Sequence, residues 1–375
     1  AQSATTASSH KSIFYSVYPS IHKTTLKTVA LEKLKSPIEM IKENGFETAA
    51  FTGGGQVSET FGFDRGFKSF RTASGANPKK DLHQTKQLTF DWLEKHYNQK
   101  FFLFVHTYEA HCPYNPPAEF FLKWSSWYGG RIDKEKCVVP FVTSQIQMSE
   151  IDYKYIRSLY SAEVNYIDEF LRELFQKVKD LGIYDNTLIV FLSDHGESLG
   201  ERGYVGHTQL YNVQLHVPLI MHIPGFTTKR ISAPIESIDV MPTIFELSGI
   251  KNSSFLFQGK SLMPLVRNPA IYDKERARIS EAAGRVRVQI GDLAVIFKSD
   301  KNDDEQLYDV KNDPEEVENI AEQNPEIVKT LKLTHSQMIL RSGTLSARFI
   351  RKPLNNPAVS KETIEKLKAL GYIAE

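Results

Sequence analysis

Short apolar runs alternate with helical stretches along this chain, a pattern that predicts an α/β sheet with crossover helices. Phe101-Phe102-Leu103-Phe104-Val105 is a continuous apolar run bounded by polar residues, the mark of a strand covered on both faces. Thr187 to Leu192 is a second such run and Val217 to Met221 a third. Glu47 to Phe51 is a weaker fourth, behind a helix that stops at Asn44-Gly45. The clearest helix precedes the second run. Tyr160, Val164, Ile167, Leu171, Leu174, Val178 and Leu181 recur at spacings of four and three, which sets them on one stripe, and Gly182 ends it. Helix, short loop, buried strand and polar motif follow one another here. That order puts the motif at a strand's carboxyl end, the edge of an open α/β sheet where ligands bind.

Beyond about Asn268 the character changes. Alternation from Arg285 to Lys298 around Gly291-Asp292 predicts a hairpin. Acidic, polar sequence follows, then amphipathic helices near 325–339 and 361–370. The expectation is a catalytic domain over residues 1–268 and a smaller C-terminal subdomain over 269–375, with no internal repeat and no long linker.

Composition narrows the partners. Lys plus Arg (46) nearly balance Asp plus Glu (45) in 375 residues, so neither a nucleic acid nor an anionic membrane surface is expected. No apolar run is long enough to span a bilayer. Cys112 and Cys137 are too few for a disulfide framework and lie in no metal-like spacing; pairing and independence both stay open. Ala1-Gln2-Ser3-Ala4-Thr5-Thr6 has neither a charged n-region nor an apolar h-region, so it is not a signal peptide. It reads as an internal starting point, which leaves localisation unread.

Ser193-Asp194-His195-Gly196-Glu197 carries the chemistry. A carboxylate beside an imidazole at a strand end is half of a divalent-metal site, and equally a capping Asp beside a surface His. The surroundings weigh on that choice. The stretch from Asn186 to Glu197 closely resembles the second signature of the sulfatases. So do Gly206-His207, Val217-Pro218-Leu219-Ile220, Pro224-Gly225 and Ile238-Asp239-Val240-Met241-Pro242-Thr243. Gly259-Lys260-Ser261-Leu262, Leu307-Tyr308-Asp309 and Asn312-Asp313-Pro314 resemble the family's later landmarks. The matches run through nearly the whole chain in the family's order. By this resemblance the chain is identified as a member of the sulfatase and alkaline phosphatase superfamily. The resemblance implies a three-layer α/β fold with a mostly parallel central sheet and a small C-terminal subdomain with an antiparallel hairpin. It also implies one divalent ion (Ca²⁺, Mg²⁺, Mn²⁺ or Zn²⁺), with room for a second. The substrate would be a small-molecule, glycan or lipid anionic ester, and the location periplasmic, extracellular or membrane-attached.

The family's first signature carries its nucleophile, a Cys or Ser followed by any residue, Pro, Ser and Arg, before a helix that ends in a Tyr-Pro turn. Setting Ser9 and Tyr18-Pro19 on that frame puts Thr6 at the nucleophile and His10 at the Arg. Thr cannot be oxidised to formylglycine, so its hydroxyl would act directly, activated by a cation and by the helix N-terminus that follows it. Taken alone, Thr6 reads as an N-cap. In Phe104 to Tyr114, His111 stands where the family contacts the substrate anion or protonates the leaving oxygen, and His106 reads as structural. His207 stands where a His of the superfamily's phospho-transferases binds a phosphoryl oxygen or second metal. Two family features are missing: an upstream strand ending in acidic metal ligands, and a Lys-x-His clamp, which Gly53 to Ser58 does not offer.

The expected function is therefore hydrolysis of sulfate or phosphate/phosphonate esters, with Thr6 as nucleophile and Thr6, Asp194 and His195 as metal ligands. His10, His111 and His207 are the further catalytic candidates. A phosphoethanolamine- or glycerophosphate-type transferase and a non-catalytic relative are the alternatives.

Overall fold

The computed structural model describes residues 1–26, 28–33, 35–73, 82–124, 128–134, 148–251, 257–299, 304–353 and 361–372. Its principal helices are α1 (Thr6–Tyr15), α2 (Pro37–Glu43), α3 (Leu82–His96), α4 (Glu150–Asp180), α5 (Val240–Leu247), α6 (Pro325–Arg341) and α7 (Lys361–Ala369). The strands are β1 (Thr28–Glu32), β2 (Glu47–Thr52), β3 (Ser69–Thr72), β4 (Phe101–Val105), β5 (Ile189–Leu192), β6 (Ser198–Leu199), β7 (Val205–Gly206) and β8 (Leu219–His222). The C-terminal part adds β9 (Arg278–Ala282), β10 (Arg285–Ile290), β11 (Leu293–Lys298), β12 (Gln306–Asp309) and β13 (Phe349–Pro353).

The fold is α/β, as expected. β3, β2 and β4 form a parallel sheet in that order, and β5 pairs with β8. That second pair is antiparallel, so the apolar run near Val217 does not extend a parallel sheet. The hairpin predicted between Arg285 and Lys298 forms as β10 and β11 inside a four-stranded antiparallel sheet, β12-β11-β10-β9. β1 and β13 pair antiparallel, Thr28 with Pro353, which ties the two ends of the chain together. One apolar cluster runs from Ala7 and Phe14 on α1 to Val288, Val295 and Leu367, across residue 268.

Two features differ from the sequence reading. α4 begins ten residues before the apolar stripe, at Glu150. A capping box sets that start, since the Ser149 side chain accepts from the Asp152 N–H and the Asp152 carboxylate from the Ser149 N–H. And β4 and β5, expected to be fully covered, are only half-buried along their length. The reason is pairing. Among the described residues each is bonded to one neighbour only, β4 to β2 and β5 to β8, and their other sides line a cleft of about 1440 Å³ floored by Val164, Ile167 and Leu171 of α4. Cys112 is buried; Cys137 lies outside the described residues.

The motif Ile238-Asp239 proves to be a joint. Asp239 and Glu236 are buried, and the Arg276 guanidinium bridges them at 2.7 and 2.9 Å. Glu236 also accepts from the Tyr18 hydroxyl and Gln2, and Asp239 from the Lys260 N–H. Gly259 is needed beside it, because a Cβ there would come within 2.0 Å of the Ile238 carbonyl oxygen. Removing the cation would strand two carboxylates inside the protein. Arg276→Ala is expected to cost about 3–5 kcal/mol, read as a lowered urea midpoint at unchanged m-value; a loss below about 1 kcal/mol would show that the network is not a structural joint.

Candidate functional site

α1 begins in an unusual place for a helix: all ten of its residues are buried, the polar ones included. Several of these polar groups have a specific partner. Ser12 bonds His22, and Lys11 reaches the Phe61 carbonyl over the Phe63 ring. The Ser9 hydroxyl donates to the Asp194 carbonyl oxygen at 2.6 Å. Thr6 occupies the first turn, where free N–H groups and the helix dipole favour an anionic oxygen. The adjacent Ala7 N–H is taken by the Gln56 side-chain oxygen at 3.0 Å.

The carboxyl end of β5 delivers Asp194 and His195 to that turn. Thr6 Oγ1 lies 3.2 Å from His195 Nε2, and His195 Nε2 lies 3.5 Å from Asp194 Oδ2. Gly196 serves close approach rather than a sharp turn: a Cβ there would come 2.3 Å from the Val213 carbonyl oxygen. His10 sits behind the carboxylate, with Nδ1 3.3 Å from Asp194 Oδ2 and 2.9 Å from the Thr6 carbonyl oxygen. Burial alone would raise the Asp194 carboxyl. The imidazoles of His195 and His10 outweigh it and hold the group well below the usual carboxylate range.

His111 and His207 complete the centre. Their Nε2 atoms are 3.2 Å apart, and the His207 ring lies 4.3 Å from the His195 ring. They therefore stand beside the Asp194–His195 pair. Three rings share one pattern. Nδ1 of His111, His207 and His195 faces the carbonyl oxygens of Cys112, Ala4 and Gly196, at 2.6, 2.8 and 2.9 Å. A carbonyl can only accept, so each Nδ1 donates, and in its neutral form each ring turns a bare Nε2 lone pair into the same space. Two such lone pairs at 3.2 Å need a proton or another positive group between them. Burial, then His195 and His111, push His207 well below the usual imidazole range.

His106 follows β4 directly: it packs edge-on against His10 at 5.0 Å, and burial, then His10, push it well below the usual imidazole range. The loop from Gly53 to Ser58 holds Gln56 in place of a clamp. Its backbone N–H donates to the Tyr108 hydroxyl at 3.0 Å. A lysine does approach this loop, but from α7, where the Lys366 side chain lies 3.9 Å from a Cβ position at Gly54. Lys366, Gln56 and Tyr372 were not among the residues expected from the sequence. The Tyr372 hydroxyl is 2.9 Å from Thr6 Oγ1 and 2.7 Å from His111 Nε2. Its one sequence signal is the helix stop at Leu370-Gly371. Glu197, buried next to the centre, has its carboxyl pushed up to about 8 by that burial.

These donors can be tested against a divalent cation. Bonds of about 2.0–2.5 Å at right angles put neighbouring ligand atoms about 2.8–3.5 Å apart. The hydroxyl–imidazole and imidazole–carboxylate pairs meet that spacing. The set is partial: among the described residues no group of three His, Cys, Asp or Glu side chains is placed to hold a metal.

The fold matches that of solved ester hydrolases. BT4656 in complex with its substrate D-glucosamine-2-N,6-O-disulfate superposes with a TM-score of 0.72 at 18% identity, over 96% of this chain and 91% of that one. The phosphonate monoester hydrolase of Silicibacter pomeroyi gives 0.67 at 18% identity, over 90% and 85%. A family model described as Sulfatase matches residues 1–250, and one described as N-sulphoglucosamine sulphohydrolase, C-terminal, matches residues 200–341. The chain belongs to the sulfatase family. The choline-sulfatase of Rhizobium meliloti is 32% identical over 185 residues, 48% of this chain and 35% of that protein. The N-acetylglucosamine-6-O-sulfatase of Bacteroides thetaiotaomicron is 28% identical over 301 residues, 72% of this chain and 51% of that protein. The chain thus spans about half or less of the curated relatives it matches.

A direct measurement follows from the donor spacing. Calorimetric titration of the full-length protein with Ca²⁺, Mg²⁺, Mn²⁺ and Zn²⁺ should give one-site binding for at least one ion, and Asp194→Asn should weaken it by more than about tenfold. Equal affinity in Asp194→Asn would remove Asp194 from the ligand set.

Proposed function

We propose that this protein is a metal-dependent hydrolase of anionic esters, sulfate or phosphate/phosphonate, that uses Thr6 as a covalent nucleophile. The observation that carries the proposal is the convergence of Thr6 Oγ1 on His195 Nε2 at 3.2 Å, beside Asp194, at the first turn of α1. Thr6, Asp194 and His195 would hold a divalent ion. When bound, such an ion lowers the pKa of the Thr6 hydroxyl and offsets charge on the group being transferred. A further carboxylate is needed to fill its shell. Both β4 and β5 run their carboxyl ends toward Thr6, so an extended segment seated in the cleft between them would bring a residue to the same point.

The steps assigned to this chain are few. Thr6 oxygen, favoured as an anion by the α1 N-terminus, bonds to sulfur or phosphorus, and the bond to the ester oxygen breaks. The Thr6 proton is given up as that bond forms and His111 Nε2 takes up a proton, which the leaving alcohol receives together with the electron pair of the broken bond, so that His111 is the candidate proton carrier. His111 and His207 are also placed to bind the non-bridging oxygens. Water then attacks the Thr6 ester at sulfur or phosphorus and restores the hydroxyl. His10 holds the Asp194 carboxylate and is assigned no contact with substrate.

The names of the relatives point to hydrolysis rather than transfer, and those of the N-acetylglucosamine-6-O-sulfatase and the disulfated-glucosamine complex make a sulfated or phosphorylated sugar the leading substrate class. Within the reaction class, the threonine favours phosphodiesters and phosphonates. A Thr ester lacks the hemiacetal route by which formylglycine expels sulfate. The full-length protein is expected to turn over bis-nitrophenyl phosphate faster than nitrophenyl sulfate in the presence of its metal, and efficient sulfate turnover with little phosphodiesterase activity would reverse that preference. Thr6→Ala should lower kcat by about a thousandfold or more, and mass spectrometry of quenched wild-type reactions should find the ester on Thr6. Unchanged rates in Thr6→Ala would remove the nucleophile.

A further inference from the structure

The end of α7 is built to aim one side chain. The Gly371 N–H donates to the Lys368 carbonyl and the Tyr372 N–H to the Leu367 carbonyl, both at 2.9 Å, with Gly371 at φ +75°. This pair of bonds around a left-handed glycine closes a helix and fixes the direction of the residue after it. The helix itself is anchored. Leu367 is buried in the main core cluster, and Leu370 is seated on the glycine loop, where a Cβ at Gly55 would come 3.0 Å from it. Tyr372 therefore reaches the centre from a fixed base. Its ring lies 5.0 Å from that of His111, and its hydroxyl touches both His111 and Thr6.

The direction of those bonds matters. His111 Nδ1 donates to a carbonyl, so in the neutral ring Nε2 accepts and the Tyr372 O–H points to it. The phenol oxygen is then left to accept from the Thr6 O–H. With its proton turned to Tyr372, the Thr6 oxygen shows lone pairs to the bare Nε2 of His195 at 3.2 Å, and two acceptors so placed suit one shared cation. Without the phenol, the Thr6 hydroxyl would be free to turn toward His195 or toward the Tyr108 hydroxyl, and its orientation would no longer be fixed.

We propose that Tyr372 is a positioning residue of the active centre, whose hydroxyl fixes the orientation of the Thr6 hydroxyl and the His111 imidazole, so that the last turn of α7 is part of the catalytic machinery. The proposal rests on the assignment of Thr6 as nucleophile. A merely structural role would require the ring alone, which sets the test on the oxygen atom.

Tyr372→Phe keeps the ring and removes the hydroxyl. In the full-length protein it should lower kcat on the preferred nitrophenyl ester by about a hundredfold, as misplacement of a reacting group does, with KM within about threefold and an unchanged melting temperature. Gly371→Ala, strained at φ +75°, should lower kcat in the same direction and carries the test should the Phe variant not fold. A second readout needs no turnover: the imidazole ¹⁵N resonances of His111 in metal-free protein should shift in Tyr372→Phe. A kcat for Tyr372→Phe within threefold of wild type overturns the proposal, as does a rise in kcat, which would mark Tyr372 as a plug, or an unmoved His111 resonance. Wild-type protein that forms no Thr6 ester and hydrolyses neither substrate would instead overturn the assignment of Thr6, and this proposal with it.

Discussion

The site depends on one costly arrangement, the ionised Asp194 carboxylate withdrawn from water at the end of β5. Taking such a group out of water costs several kcal/mol unless close partners offset it. His10 provides the nearer partner, with Nδ1 at 3.3 Å. That need explains why α1 is polar and yet wholly buried. His10 must reach the carboxylate from beneath, and Ser9 holds the same residue by its carbonyl. Thr6, one turn before His10, is thereby carried to the face of Asp194. The position of Thr6 is thus a by-product of how the carboxylate is kept charged.

The imidazoles obey a related constraint. A ring free to rotate could present either nitrogen. His111 and His195 each give Nδ1 to the carbonyl of the next residue and His207 gives its Nδ1 to Ala4 across the fold, so no single loop movement can release all three. The lone pairs that meet in the centre are mutually repulsive until something positive arrives. Folding energy from the carbonyl bonds and the surrounding core holds that repulsion in place. A protein that only needed a stable fold would gain nothing by it, which weighs against a purely structural relative.

How much of this was legible in the sequence depended on range. Asp194 and His195 were readable because strand, carboxylate and imidazole are adjacent in the chain. The hairpin around Gly291 was readable for the same reason. Coverage of β4 and β5 was not, since an apolar run reports what a strand prefers to touch and not what lies on its other edge. The start of α4 was missed because a capping box of two polar residues, Ser149 and Asp152, set it ahead of the apolar stripe. Landmarks such as Asp239 and Gly259 were recognised as a pattern, but their function as a buried joint around Arg276 appears only when segments 20 and 37 residues apart are brought together.

Tyr372 marks the far end of that scale, since it meets Thr6 across 366 residues. Nothing in its neighbourhood suggests chemistry, because the local sequence is an ordinary amphipathic helix with a glycine stop. What places it is the antiparallel pairing of β1 with β13, which returns the chain's end to its beginning, together with the glycine loop that receives Leu370. The C-terminal part therefore has more to do than cover the sheet. If the last helix turn sets the orientation of the Thr6 hydroxyl, its stability and the reactivity of the centre are linked. Loosening Leu367 or Leu370 would then act on the chemistry from well outside the ligand set.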